Sequence, residues 1–163
     1  MQAGRLVTIA ACLLGLLPGI VKACTCPAGT DFWWKQATRV ALVRIESVGW
    51  QTEDFITRRA CAAGPRCAPK QVGRFTQIEA FKGSVNAIPT LASGYGHGDC
   101  GIPLTAGTYY VEFLRKDESN VGICNAAGPY IRLKSIEPFL QSLRRVARDP
   151  NAKLPDDPRP PPH

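Results

Sequence analysis

The sequence predicts a small, mainly β domain: a barrel of short strands with helices attached, stapled by disulfides. Three observations carry that reading. Runs rich in valine, isoleucine and aromatic residues recur, bounded by glycine, proline and polar clusters. One helix-period apolar pattern comes late in the chain. Seven cysteines fall within 163 residues, behind what reads as an export signal. That length allows one domain, and a hydrophobic fraction of 45% with 20% charged residues is ordinary for a folded one.

Residues 1–23 read as a secretory signal peptide. Arg5 supplies the positive start, Leu6 to Leu17 is a mostly apolar run too short to span a bilayer, and Pro18-Gly19 precede a small residue at Ala23. Cleavage after Ala23 removes Arg5, Lys22 and Cys12, which lowers the net charge from +7 to +5 and the cysteines from seven to six. The chain is therefore expected to be secreted or periplasmic. A cysteine directly after the cut is also the bacterial lipoprotein arrangement, so the alternative is a lipid anchor at Cys24. Lys22 is a poor residue for that signal. A membrane partner is expected only if Cys24 is lipidated.

The domain proper is read as residues 24–148. Thr30 is expected to cap a short helix through residues 31–36, with at least one of its aromatics sealing one end of the core. Residues 39–48 read as a strand, 51–70 as a long polar insertion, and 73–81 as a second strand ended by Lys82-Gly83. Residues 89–93 make a short strand, and 94–98 a flexible glycine-rich loop. Residues 108–114 read as a strand entered through Gly107, 117–120 as a hairpin turn, and 121–125 as the returning strand. Ser135 is then expected to cap a helix. Ile136, Phe139, Leu140, Leu143 and Val146 form its apolar face. Pro138 falls in the first turn, where proline is tolerated, and Arg144, Arg145 and Arg148 sit towards the end the helix dipole favours for cations. Residues 149–163 read as a proline-rich, extended tail.

Six mature cysteines in an exported chain read as three disulfides. Cys24 and Cys26 are too close to close a ring without strain. Cys61 and Cys67 flank a Gly-Pro turn and are expected to pair locally. Two options remain: Cys24–Cys100 with Cys26–Cys124, or the crossed arrangement. Each closes long loops and fastens the amino terminus to the body of the domain.

Enzymatic chemistry is not expected. The two histidines, His97 and His163, cannot supply a three-histidine zinc site, and there is no H-E-x-x-H. No Ser-His-Asp or Cys-His arrangement stands out, and His97 reads as a loop residue. Asp156-Asp157 read as solvated tail residues. No cofactor is expected. Arg58, Arg59, Arg66, Lys70 and Arg74 read as a solvated basic loop, with a sulfated or acidic polysaccharide as the partner they would suit. OB barrels also bind nucleic acid, but export argues against such a partner.

The order of motifs is more specific than any one of them. Cys24-Thr25-Cys26-Pro27 opens the mature chain. Phe75-Thr76-Gln77-Ile78-Glu79-Ala80-Phe81-Lys82-Gly83 follows a valine-rich strand. Then come Cys100-Gly101-Ile102-Pro103-Leu104, Gly107-Thr108-Tyr109-Tyr110-Val111 and Gly122-Ile123-Cys124-Asn125. Over residues 24–148 this set resembles the netrin-like module, most of all the amino-terminal domain of the tissue inhibitors of metalloproteinases. The resemblance implies a five-stranded OB-fold barrel with flanking helices, and the pairs Cys24–Cys100 and Cys26–Cys124. It also implies a zinc metalloprotease as partner. The backbone amine and carbonyl oxygen of Cys24 would chelate that enzyme's zinc, Thr25 would enter its specificity pocket, and Cys26 and Pro27 would complete the contact. The pair Cys61/Cys67 has no counterpart in the family pattern. The second reading is a binding module of the cell envelope or matrix that inhibits nothing.

Overall fold

The computed structural model describes residues 26, 29–50, 70–94, 100–116 and 118–154. They form a mainly β protein: one curled, mixed, six-stranded half-barrel sheet flanked by two helices. In chain order the elements are α1 (Thr30–Gln36), β1 (Arg39–Trp50), β2 (Gln71–Lys82), β3 (Leu91–Ser93), β4 (Tyr109–Leu114), β5 (Asn120–Val121), β6 (Ala126–Tyr130), a 3₁₀ turn (Leu133–Ile136) and α2 (Glu137–Arg148). The sheet order is β5-β3-β2-β1-β4-β6. All pairings are antiparallel except β3 with β5, which is parallel.

The first half of β1 and nearly all of β4 are buried on both faces, which explains their nearly unbroken apolar sequence. Val40 and Leu42 of β1 and Val111 and Phe113 of β4 face one side, where they meet Phe139, Leu140, Leu143 and Val146 of α2. Ala41, Val43 and Ile45 alternate to the other side and pack with Tyr110, Leu114, Leu91, Ile102, Leu104 and Val121. The predicted apolar face of α2 is buried throughout, Ile136 included. Trp33 and Trp34 pack at the edge of the first cluster, beside Ala37. Arg115 stands over the Trp33 ring and Lys82 over the Trp34 ring, each 5.6 Å from the centroid.

Both helix starts differ from expectation. Gly29, not Thr30, occupies the cap position of α1, and Thr30 is the first helical residue. Ser135 lies inside the 3₁₀ turn, where its hydroxyl donates to the Arg132 carbonyl at 2.6 Å. Pro138 then sits in the first turn of α2, where a residue without an N–H loses no bond. The returning strand expected at 121–125 is also corrected. Only Asn120–Val121 is strand, and it pairs with β3 rather than β4. The strand beside β4 is β6, from Ala126. Within the stretch read as a tail, Leu154 is 5% exposed and belongs to the first cluster.

Arg144 ties α2 to the sheet. Its Nε and Nη2 donate to the two carboxylate oxygens of Glu79 on β2, at 2.8 and 2.7 Å, and its Nη1 donates to Glu137 at 2.7 Å. These bonds, first those to Glu79, hold the guanidinium above its ordinary pKa. All three side chains are partly solvated, so the clamp is worth less than a dry one. Arg144→Ala is expected to cost about 1–2 kcal/mol in urea denaturation, less in high salt. Arg144→Lys should recover little of it, because an ammonium cannot make the forked contact.

Candidate functional site

The feature that the motifs converge on is the corner where Cys26 joins the sheet. A disulfide links Cys26 to Cys124, 98 positions away, with the Cα atoms 5.2 Å apart. Cys124 sits in a turn, residues 122–125, that leads from β5 to β6. Asn125 organises this turn. Its Oδ1 accepts from the Gly122 amide at 2.8 Å, and its Nδ2 donates to the Asn120 carbonyl at 3.0 Å. Its own carbonyl accepts from the Phe113 amide of β4 at 2.8 Å. With its side chain and backbone so engaged, Asn125 is buried. In the sequence Asn125 stands out only as the last residue of the Gly122-Ile123-Cys124-Asn125 motif. The signal for its role was a polar amide placed directly after a cysteine, a residue type that builds turns.

The segment carrying Cys100 lies against this turn. The Ile123 amide donates to the Cys100 carbonyl at 3.0 Å, and Gly101 and Gly122 form an isolated antiparallel bridge. Cys100 is disulfide-bonded and has a positive φ of 58°. The glycines are required by close approach. A Cβ on Gly122 would stand 2.5 Å from the Cys100 carbonyl oxygen, and one on Gly101 would collide with the backbone of Gly94. Ser93, 2% exposed, ties the same region to the sheet edge. Its hydroxyl donates to the Val121 carbonyl at 2.9 Å and accepts from the Ile102 amide at 2.8 Å. The fold therefore sets the two segments that carry Cys100 and Cys124 side by side.

Of the residues expected at a protease contact, Cys26 is placed at this corner, while Cys24, Thr25 and Pro27 lie outside the described residues. So do Cys61, Cys67, His97, Arg58, Arg59, Arg66, Asp156 and Asp157. Two members of the expected basic loop are described and belong to the sheet region instead. Lys70 donates to Asn120 at 3.0 Å, and Arg74 is an exposed residue of β2 opposite Ser47. Among the described residues, no three metal-ligating side chains stand together. No described helix is long and apolar enough to cross a membrane.

One buried ionisable group escaped the sequence reading. Glu112, in the middle of β4, is fully enclosed, and neither of its carboxylate oxygens has a hydrogen-bond partner among the described residues. Burial pushes its pKa well above the ordinary glutamate range. Comparison with known proteins adds no identification: no family model and no curated protein matches the chain.

Proposed function

We propose that this chain is an exported netrin-like module that inhibits a zinc metalloprotease through its mature amino terminus. The observation that carries the reading is the Cys26–Cys124 disulfide, one of the pairs the resemblance implies. It is supported by the bridge between Gly101 and Gly122, which puts Cys100 within the same corner as Cys124. A C-x-C start needs two such adjacent anchors. The five-stranded OB barrel goes with this reading, and the curled sheet with both helices packed on its first cluster is consistent with it.

In this mechanism Cys24, two residues before the Cys26 anchor, offers a neutral α-amine and a carbonyl oxygen to the open position of the enzyme's zinc. An α-amine titrates near pH 7.7–8.0, so losing its proton costs little at neutral pH. Anchoring Cys26 removes freedom that would otherwise be lost on binding. Thr25 fills the specificity pocket.

The test is inhibition of a panel of secreted zinc proteases by protein whose mass shows a free Cys24 amine. Inhibition is expected, and one alanine added before Cys24 should weaken it by orders of magnitude while the fold and disulfides survive. Undiminished inhibition by the extended protein would sink the chelation mechanism. No inhibition by the correctly processed protein would favour the binding-module reading.

A further inference from the structure

Glu112 has no structural reason to be a glutamate. It lies on the face of β4 shared with Tyr110 and Leu114. The residues directly across from it are alanines, Ala41 on β1 and Ala126 at the start of β6. Neither side chain can donate a hydrogen bond.

None of the polar and charged groups around it bonds to its carboxyl. The Tyr110 hydroxyl donates to the Pro103 carbonyl and accepts from the Thr105 amide. On β1, Arg39 stands diagonally across; its Nη2 donates to the Arg115 carbonyl at 2.9 Å, and its buried Nε has no partner among the described residues and does not reach Glu112, while Arg44 pairs with Glu46. On β2, Lys82 donates to the Trp34 carbonyl and Glu79 holds Arg144. The titratable side chain of β6 is Tyr130, opposite Tyr109 at the far end of the ladder. The turn before β6 contributes Asn125, committed to Gly122 and Asn120. An isolated buried carboxylate is costly, so the group stays protonated while it is enclosed.

The two sides of Glu112 are unequally held. β1 lies between β2 and β4 in the middle of the sheet. β6 is an edge strand whose short pairing with β4 has an irregularity between Tyr109 and Val111. The weaker side is the one that carries Cys124, and through it Cys26.

We propose that Glu112 is a proton-linked latch on the Cys26–Cys124 corner. With the carboxyl protonated, β4 closes against Ala126 and the turn. Loss of the proton to solvent favours an open corner in which β6 lifts and the carboxylate reaches water. The sign follows from proton binding. The closed form keeps its proton above the pH at which an ordinary glutamate loses it. Closure is therefore fully favoured at and below the ordinary glutamate range. Above that range the opening equilibrium grows up to about tenfold per pH unit, until the enclosed carboxyl itself ionises.

Amide hydrogen exchange on the oxidised full chain, from acidic to alkaline pH and corrected for base catalysis, tests this. Protection of the Phe113 amide, bonded to Asn125, should fall by up to about tenfold per pH unit, while central β1–β2 amides change less. Glu112→Gln carries no titrating group and should abolish the slope. A pH-independent Phe113 amide, an equal slope across β1–β2, or an unchanged slope in Glu112→Gln would each overturn the latch. Should that variant not fold, carbon NMR of the wild-type carboxyl decides. Titration in the ordinary glutamate range overturns the proposal, and titration well above it supports the proposal.

Discussion

Replacing Cys26 and Cys124 together by alanine is expected to cost about 3–5 kcal/mol in guanidine denaturation. The bond spans 98 positions, and a lone crosslink closing a loop of that size is worth about 5 kcal/mol in the chain-entropy account. If Cys100 is bonded to Cys24, as the resemblance implies, the two bonds share most of that loop. The Cys26–Cys124 bond then closes only a short additional ring, and its loss costs about 3–4 kcal/mol. The size of the loss thus reports on the partner of Cys100. Both cysteines must go at once, because a single replacement leaves a reactive thiol. A loss below about 1 kcal/mol would mean that the ends of the loop are held together by packing alone.

Leu143→Ala should destabilise by about 3–4 kcal/mol, with a fall in Tm of about 10 °C. Leu143 is 0% exposed and sits between Leu140 and Val146 on the buried stripe of α2, against the first face of the sheet. Truncation removes apolar contact and leaves a void that strands on a rigid sheet cannot fill. Val146→Ala, at 4% exposure and with less side chain to lose, should cost about half as much. A Leu143→Ala protein with unchanged Tm would mean that α2 does not dock on the sheet in solution.

The elements that could be read from sequence were those with strong local signals. β1, β2 and β4 announce themselves through valine, isoleucine, tyrosine and phenylalanine, and α2 through its 3.6 period. Their ends were less legible. β1 runs on to Trp50 and β2 starts at Gln71, because cross-strand pairs such as Trp50 with Gln71 extend the ladder past the apolar run. β6 was not legible at all. Ala126-Ala127-Gly128-Pro129-Tyr130 has little strand propensity, and its pairing with β4 is a tertiary choice. An edge strand tolerates the proline that a central one would not. At the corner, the spacing of Cys26 and Cys124 was readable as two open options, and the resemblance favoured the pair now seen. The supporting roles of Asn125, Ser93 and Gly101 depend on which segments meet, which no local pattern encodes. Glu112 was hidden for the opposite reason. A polar residue within a strand reads as facing water, whereas β4 is covered on both sides.

The position of the Cys26–Cys124 bond also determines how the molecule bears tension. β1 to β5 all lie between the bonded cysteines, whereas β6 and α2 lie beyond them. A pull between Cys26 and the end of α2 at Arg148 passes through the sulfur bridge and bypasses five of the six strands. Only the chain after Cys124 can pay out, roughly 80 Å at full extension, against roughly 400 Å once the bridge is reduced. Held this way, β1 to β5 are shielded from load, and α2 with β6 acts as a short extensible leash.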